Sequence, residues 1–322
     1  MLVRNRKGWQ LAEGAATPES FFLDRRGFLA GLAGIALVPA NAMHSESTGA
    51  LPPAIARLYP ARRNRKFRLD RPVSPEEVVT TYNNYYEFGD DKKSPAAAAQ
   101  RLTTRPWTVE IAGLVERPFE IDRDDLVRKM PVEERLYRHR CVEGWSIAVP
   151  WTGFPLKALV DQARPLSSAR YLRTVSFKRP SEAPAQLEPW YPFPYFEAFR
   201  MDETRNDLAF VTIGMYGREL SKQNGQPLSI RMPWKYGFKS PKGIVRFEFT
   251  AEQPPTFWKS LSPNEYGFLS NVNPAVAHPR WSQATEKFFG PGGVEQRATL
   301  PYNGYAEWVA EMYDEASRKR LS

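Results

Sequence analysis

Cysteine and histidine are scarce in this chain of 322 residues, which contains one Cys and three His. A single thiol excludes an internal disulfide and a four-cysteine zinc site, and three imidazoles leave little room for a histidine-rich metal centre. No apolar run is long enough to cross a bilayer, which excludes a bundle of membrane spans. With 42% hydrophobic residues, the chain has enough apolar side chains for one large or two ordinary folded domains.

Acidic residues are outnumbered, and the formal net charge is +9. Residues 43–322 alone carry 40 basic and 33 acidic residues, a net charge of +7. This moderate excess favours an anionic ligand or surface without identifying one. The 29 Pro against 20 Gly suit a β-containing fold with stiffened connections more than a helical bundle.

The N-terminal segment has the pattern of a secretory signal, which we place at residues 1–42. Residues 21–42 read FFLDRRGFLAGLAGIALVPANA, with paired Arg25 and Arg26 before a weakly apolar run and a small-residue cleavage site. The paired arginines are typical of twin-arginine export, although Asp24 replaces the usual Ser or Thr. The 12 apolar-region residues 27–38 span about 18 Å as a helix, against about 30 Å of hydrocarbon. The alternative is an uncleaved anchor or a chance amphipathic tail.

The remaining pattern predicts an α+β fold with a mixed sheet, in one domain at residues 43–322. Two extended arms are expected, at roughly 43–105 and 252–322, the second made of loops that end in a helix. Ser74 and Asp122 are predicted helix N-caps, the first followed by Pro75 at the first helical position. Periodicity predicts strands at 107–111, 119–121, 135–140, 172–177, 208–212, 228–232 and 244–249, and helices at 124–130, 155–163 and 305–318.

Cys141 is the first candidate for chemistry, because Arg138, His139 and Arg140 precede it directly. Positive neighbours stabilise a thiolate, the form that binds metals or attacks electrophiles. From these residues alone three interpretations stay open: an inert buried thiol, a nucleophile with His139 or His278 as its base, and a metal ligand. One thiolate and one imidazole are too few ligands for zinc, so a metal would need a cofactor with its own donors.

The second candidate is the loop at residues 233–242, PWKYGFKSPK, which places three lysines among aromatic residues. Lysines and backbone amides suit a phosphate, and aromatic side chains suit a flat ring system. A solvated basic loop is the alternative. Nucleic-acid binding is the weaker interpretation, since the charge is confined to one short loop.

Six segments in sequence order carry a resemblance to a known family. They are 82–88 (YNNYYEF), 140–145 (RCVEGW), 223–225 (QNG), 233–239 (PWKYGFK), 265–268 (EYGF) and 278–285 (HPRWSQAT). Together with the twin-arginine leader they resemble the catalytic subunit of the periplasmic protein-methionine-sulfoxide reductase system. The resemblance covers roughly residues 70–310 and implies a molybdoenzyme with a sulfite-oxidase-type fold.

The resemblance also implies roles for individual residues. Cys141 falls on the catalytic thiolate that binds molybdenum, one Mo-molybdopterin being held per chain. One position departs from the family, since relatives have an arginine where this chain has Ser229; Arg231 is our hypothesis for its substitute. The expected contacts to the molybdopterin are Asn83, Tyr86, Glu87, Ser176, Asn224, Ser240, Pro241 and Lys242.

The implied function is reduction of methionine sulfoxide in periplasmic proteins by oxygen-atom transfer, with Glu87 or Tyr86 as a hypothetical proton source. The electrons are expected from a membrane-embedded haem b partner that draws on quinol, with the catalytic subunit itself monomeric. The Pro- and aromatic-rich stretch 190–195 is a candidate lining for an open substrate surface, although packing is its simpler use. The alternatives are a sulfite-oxidising or other small-oxoanion molybdoenzyme of the same fold and, more remotely, a metal-free exported cysteine hydrolase.

Overall fold

Twelve β-strands form the framework of residues 51–314, the part of the chain that the computed structural model describes. In chain order they are β1 Thr108–Gly113, β2 Phe119–Asp122, β3 Glu133–Arg140, β4 Trp145–Pro155, β5 Tyr171–Ser176, β6 Phe196–Arg200, β7 Phe210–Met215, β8 Arg218–Glu219, β9 Ser229–Arg231, β10 Ile244–Thr250, β11 Thr285–Gly290 and β12 Gly293–Ala298. The predicted signal at 1–42 lies outside the described residues.

Five of these strands make one sheet, in the order β2-β1-β10-β5-β6. Strand β1 runs parallel to β10, and the other pairs in this sheet are antiparallel. Burial alternates along β5, as expected where one face of a sheet packs on the core and the other does not. Because the sheet contains both parallel and antiparallel pairs, the predicted mixed sheet is present.

The second sheet has seven strands and is built around β4, which spans 11 residues. Strand β3 pairs antiparallel with β4 along Glu133–Arg140. Strand β7 pairs antiparallel with Trp151–Pro155 of β4, and β11 runs parallel to the start of β4. All of β4 except its last residue is buried, so it lacks the alternation that marks a half-exposed strand. This is why the sequence pattern did not reveal it.

The helices are short; four of them lie between strands, three precede β1 and one follows β12. They are α1 Pro53–Ala56, α2 Glu76–Thr81, α3 Ser94–Ala98, α4 Arg123–Arg128, α5 Leu156–Ala163, α6 Met201–Arg205, α7 Phe257–Leu261 and α8 Ala306–Val309. Among them, no helix of the described residues is long and apolar enough to cross a membrane.

One predicted helix cap is confirmed and one is wrong. The Asp122 side chain accepts hydrogen bonds from the backbone N–H groups of Asp124 and Asp125 at the start of α4. At α2 the N-cap is Pro75, which makes no side-chain cap. The Ser74 hydroxyl instead accepts a hydrogen bond from the backbone N–H of Ala148 at 3.0 Å. Because it binds this residue of β4, it does not cap the helix.

The C-terminal stretch differs from the expectation of loops followed by one long helix. Residues 285–298 form the antiparallel hairpin β11–β12, which continues the sheet of β4. The helix expected at 305–318 is broken into α8 and a 3₁₀ turn at Ala310–Met312. Residues 315–318 of that prediction lie outside the described part of the chain. Local periodicity predicted a helix here, but it did not show where the helix stops.

Candidate functional site

Cys141 lies at the head of the tight connection between β3 and β4. Its backbone N–H donates to the carbonyl of Trp145 at 2.9 Å, and the N–H of Gly144 donates back to the Cys141 carbonyl at 3.0 Å. Gly144 has a φ of +93°, a conformation that side chains rarely adopt. The turn therefore fixes the thiol at the end of two long paired strands, on a rigid base.

Two side chains contact the sulfur. The Nδ2 of Asn84 lies 3.5 Å from Sγ, and the Oε2 of Glu143 lies 3.7 Å from it. Burial raises the pKa of the Cys141 thiol above its usual value, and the Glu143 carboxylate raises it further. Without an added cation at the sulfur, this environment keeps the thiol protonated.

Both arginines before Cys141 form ion pairs of their own. Arg138 pairs with Asp70 at 3.0 Å. Arg140 is fully buried and pairs through Nε with Glu286 at 3.2 Å. Both guanidinium groups thus anchor the end of β3. Arg140 still lowers the pKa of the Cys141 thiol, but burial and the Glu143 carboxylate outweigh it.

The predicted cofactor contacts come together from three separate segments. The Nδ2 groups of Asn83 and Asn224 both donate to the carbonyl of Val79 at 3.0 Å. The ammonium group of Lys242 donates to the carbonyls of Asn84 and Gln223, each at 2.9 Å. The segment after α2, the Asn-Gly turn and the loop before β10 therefore form one connected site beside Cys141.

Gly225 explains how closely these segments approach. Its φ is +110°, and a Cβ atom there would lie 3.0 Å from side-chain carbons of both Lys242 and Ser229. Ser229 in turn donates a hydrogen bond to the Pro241 carbonyl at 2.6 Å. A larger residue in the turn would push the loop containing Pro241 and Lys242 away from β9.

Several buried polar atoms of this site have no hydrogen-bond partner in the described part of the chain. They are Asn83 Oδ1, Tyr85 Oη, Ser176 Oγ and Arg231 Nε. Buried polar groups are nearly always paired, and leaving one unpaired costs about 1–3 kcal/mol. Unpaired donors and acceptors around the cations Arg231 and Lys242 fit a large, polar, anionic ligand. A pterin that carries a phosphate is a ligand of this kind.

Two of the three lysines in the loop at residues 233–242 already have carboxylate partners, which corrects the sequence interpretation. Lys235 is buried in an ion pair with Glu203, and Lys239 is buried in an ion pair with Glu197. Lys242 forms no ion pair within residues 51–314 and lies 4.6 Å over the ring of Tyr85. Of the three lysines, Lys242 is therefore the one available to an anion.

Glu87 and Tyr86 occupy different surroundings. Glu87 is 3% exposed, and burial raises the pKa of its carboxyl to about 7, although Lys242 lowers it somewhat. The ring of Tyr86 packs edge-on against Trp258 and Tyr191, with centroids 5.0 and 5.7 Å apart. Glu87 can hold a proton near neutral pH, whereas burial raises the pKa of Tyr86 well above its usual value.

The remaining predicted contacts line the same loop and the adjoining sheet edge. Ser240 and Pro241 are buried, and Ser240 donates its backbone N–H to the carbonyl of Gly237 at 3.0 Å. Ser176 ends β5 opposite Ile244, the first residue of β10. Ser176, whose hydroxyl is unpaired, therefore lies across from the residue that follows Lys242 by two positions.

Neither histidine is placed to activate the thiol. Among the described residues, Asn84 and Glu143 are the hydrogen-bond partners of Sγ, and no histidine is. Burial lowers the pKa of His139 to about 3, helped by nearby Arg231 and Lys242. His278 stacks on Trp281 with centroids 3.9 Å apart. The arrangement lacks the Cys–His hydrogen bond on which a cysteine hydrolase depends.

Protein side chains alone do not form a metal centre in residues 51–314, where no cluster of three or more His, Cys, Asp or Glu could hold an ion. Cys141 provides a single soft sulfur donor, which suits a metal whose other ligands come from a cofactor. The neighbouring cations and orphaned polar atoms provide for the rest of such a cofactor. The residues present therefore fit a metal–pterin group.

Comparison with known proteins identifies the family. A family model described as "Oxidoreductase molybdopterin binding domain" matches residues 96–258. The protein-methionine-sulfoxide reductase catalytic subunit MsrP of Burkholderia mallei (strain ATCC 23344) is 48% identical over 302 residues, covering 92% of this chain and 91% of that protein. This chain belongs to the MsrP family. The expected oxidoreductase family and its molybdopterin-binding domain are thereby confirmed.

A solved structure shows a weaker likeness. It is the sulfane dehydrogenase SoxCD from Paracoccus pantotrophus, with 14% identity and a TM-score of 0.43. The match covers 73% of this chain and 60% of that one. A similarity of this size supports no comparison of function.

Two residues at the thiol were missed by the sequence interpretation as individual contacts. Asn84 was visible only as one of several polar residues in the segment 82–88, and Glu143 as part of the segment 140–145. Glu143 also accepts hydrogen bonds from Asn84 and Trp145, both at 3.1 Å, and pairs with Lys92 at 2.9 Å. Which of these side chains faces the sulfur depends on the turn geometry, and no sequence signal gives it.

The stretch 190–195 splits between packing and exposure. Phe193 and Tyr195 are buried in a small cluster with Phe257. Trp190 is 45% exposed and lies beside Tyr191, which contacts Tyr86. Phe193 and Tyr195 thus serve packing, the simpler of the two predicted roles. Trp190 and Tyr191 connect the outer surface to the site through aromatic contacts.

Proposed function

We propose that this protein reduces methionine sulfoxide in other proteins, using one Mo-molybdopterin held by Cys141. The observation that carries the proposal is a lone buried thiol beside a polar cradle that contains Arg231 and Lys242, neither of which forms an ion pair within residues 51–314. Membership of the MsrP family supplies the substrate class. The cradle would hold the cofactor through Asn83, Tyr86, Glu87, Ser176, Asn224, Ser240, Pro241 and Lys242.

When bound, the reduced cofactor would supply the two electrons that, together with two protons, convert the sulfoxide to the thioether and water. The chain supplies everything else. Cys141 would hold the metal through its sulfur as a thiolate, because metal binding displaces the proton that burial otherwise retains. Asn84, whose Nδ2 lies 3.5 Å from Sγ, donates to that sulfur and orients it.

Glu87 is the proposed proton source of the site. A buried carboxyl with a pKa of about 7 is protonated in part at neutral pH and can give up its proton without a large free-energy cost. Tyr86 is the weaker candidate, since burial raises its pKa far above neutrality. Its contacts to Trp258 and Tyr191 instead assign it to the wall of the site.

The substrate approaches from the exposed side of Cys141. There the side chains of Glu143 and Lys92 are 28% and 22% exposed, so the thiol lies close to solvent although it is itself buried. Such a shallow position suits a methionine sulfoxide side chain on another protein. Exposed Trp190 extends an aromatic surface outward from Tyr86 and Tyr191 for the surrounding polypeptide.

The cellular context follows from the sequence and the family. The paired arginines at 25 and 26 support export of the folded, cofactor-loaded protein to the periplasm. The name of the relative, a catalytic subunit, supports a second subunit that delivers electrons. We assign that role to a membrane-embedded haem b protein drawing on quinol, with oxidised periplasmic proteins as substrates.

Elemental analysis combined with one assay tests the proposal. Purified protein is measured for molybdenum per chain and, after chemical reduction, for conversion of protein-bound methionine sulfoxide to methionine. We expect about one molybdenum per chain and turnover that Cys141→Ala abolishes. Full turnover by protein free of molybdenum and pterin would refute the proposal, as would unchanged turnover in Cys141→Ala.

A further inference from the structure

Arg231, the last residue of β9, holds a buried guanidinium group in the candidate site. The residue is 4% exposed. It donates to Ser229 Oγ at 2.8 Å, to the carbonyl of Asn224 at 3.0 Å and to the carbonyl of Ile230 at 3.0 Å. Its guanidinium carbon lies 4.2 Å over the ring of Trp151. Every one of these partners is neutral.

The charge of Arg231 has no counter-charge within residues 51–314, where it forms no ion pair, and its Nε has no hydrogen-bond partner. Burial lowers the pKa of this arginine to about 9. Lys242 is close enough that Arg231 lowers its pKa as well. Two neighbouring cations in a largely buried site are costly to the protein unless an anion joins them.

Ser229 aims the guanidinium group at the loop that carries Lys242. Residues 229 and 231 lie on the same face of β9, because side chains alternate along a strand. The Ser229 hydroxyl accepts from Arg231 and donates to the carbonyl of Pro241 at 2.6 Å. A single small side chain therefore bridges the arginine to the residue before Lys242.

We propose that Arg231, oriented by Ser229, joins Lys242 in binding the phosphate of the pterin cofactor. The inference rests on the proposed function, because the cofactor supplies the phosphate. A guanidinium group with a free N–H, next to an ammonium group, provides the charge-assisted hydrogen bonds that phosphate oxygens accept. Arg231 is in this account a cofactor-binding residue, and Ser229 is a positioning residue that acts through it.

Relocating the charge tests the inference. Holoenzyme is purified as the parent chain, as Arg231→Met, and as Arg231→Met combined with Ser229→Arg, and molybdenum and pterin are counted per chain. We expect Arg231→Met to lower both roughly 10- to 100-fold, as expected for losing hydrogen bonds to a charged group. The combined variant, which returns a guanidinium group to the same strand face, is expected to recover most of the content.

A second readout separates ligand binding from a structural role. Protein made in cells unable to synthesise the pterin is melted with and without inorganic phosphate. We expect phosphate to raise the melting temperature of the parent and not of Arg231→Met, whose melting temperature without phosphate is not lower than the parent's. Arg246→Met, which removes a partly exposed arginine on β10 paired with Glu110, is the matched control and should retain its cofactor.

Unchanged cofactor content in Arg231→Met would overturn the inference, and so would a combined variant that recovers none. A lower melting temperature of cofactor-free Arg231→Met, with the same response to phosphate as the parent, would likewise assign Arg231 to structure. Parent protein without molybdenum would contradict the proposed function itself. The two failures are therefore distinguishable.

Discussion

Between Arg231 and Lys242 the chain places four cationic side chains, three of them buried and Lys242 partly buried, and these form two contrasting pairs. Lys235 and Lys239 each meet a buried carboxylate, Glu203 and Glu197 respectively. Arg231 and Lys242 meet carbonyls, a hydroxyl and aromatic rings, and neither has an ion pair in the described part of the chain. The first pair has its counter-charge built in, whereas the second pair lacks an anion.

The difference shows why a run of basic residues is a poor guide to a binding site. A buried ion pair satisfies itself and holds the loop against β6 and α6, where Glu197 and Glu203 lie. Unpaired cations gain their counter-charge from a ligand. The free-energy cost of burying them is therefore offset only when that ligand binds to the folded protein. Variants of the two pairs should accordingly fail in different ways.

The largest expected effect is on stability, from breaking a built-in pair. Lys235→Met leaves the Glu203 carboxylate buried, where Tyr313 still donates to it at 2.6 Å. We expect a loss of about 3–5 kcal/mol in the free energy of unfolding, measured by denaturant titration of cofactor-free protein. Pairing the change with Glu203→Gln should recover part of it. A loss below about 1 kcal/mol would contradict the structural assignment of this pair.

Lys242→Met should show the opposite behaviour. Cofactor-free protein is expected to keep its stability within about 1 kcal/mol, since the lost charge had no partner. Molybdenum and pterin per chain should fall roughly 100-fold, as expected when an anion loses a hydrogen bond to a charged group. Equal loss of stability in Lys242→Met and Lys235→Met would erase the contrast between the two pairs.

Glu87 also tests this comparison, because it is the carboxyl group whose charge raises the pKa of Lys242. A true counter-ion would have a lowered pKa, but burial raises the pKa of Glu87 from 4.5 to about 7. The folded state therefore binds this proton more tightly than the unfolded state does. The resulting stability is fully present below about pH 4.5 and is lost as the pH rises to about 7.

Replacing Glu87 by Gln should remove that pH dependence. Between pH 5 and pH 8 the parent is expected to lose about 2 kcal/mol more stability than Glu87→Gln, measured by melting cofactor-free protein across this range. In the loaded enzyme the same change should flatten the pH–rate profile near neutrality. Identical pH dependence in parent and variant would show that Glu87 does not titrate there and is not the proton source.

The smallest expected effect concerns the outer surface, away from both pairs. Trp190 is 45% exposed, so Trp190→Ala should leave stability and cofactor content unchanged. We expect KM for methionine sulfoxide within an oxidised protein to rise roughly 3-fold, as for a peripheral aromatic contact, with KM for the free amino acid unchanged. An equal rise for both substrates would place Trp190 in the inner site.

The sequence predicted those elements whose local pattern matches their final environment. Strand β5 alternates in sequence and in burial, and α4 begins at the capping residue Asp122. Strand β4 was missed because ten of its eleven positions are buried, which removes the alternation. The β11–β12 hairpin was missed because its surroundings, rich in Pro and Trp, indicate loops.

For the site, the resemblance located the segments, and their tertiary arrangement decided which side chains serve it. Lys239 and Lys235 gain their carboxylates from residues 42 and 32 positions away, which no local pattern reveals. The chain leaves α2 in an extended conformation at Tyr82, and Asn84 two residues later contacts a thiol 57 positions away. Charge counting alone would have assigned all three lysines of the loop to the ligand.

X-ray absorption at the molybdenum edge of the purified protein tests most directly whether Cys141 binds the metal. The sulfur ligands are counted in the parent and in Cys141→Ser protein that still contains metal. We expect a molybdenum signal in the parent and one sulfur ligand fewer in the variant. An unchanged sulfur count in Cys141→Ser, or a catalytically active parent with no molybdenum, would contradict it.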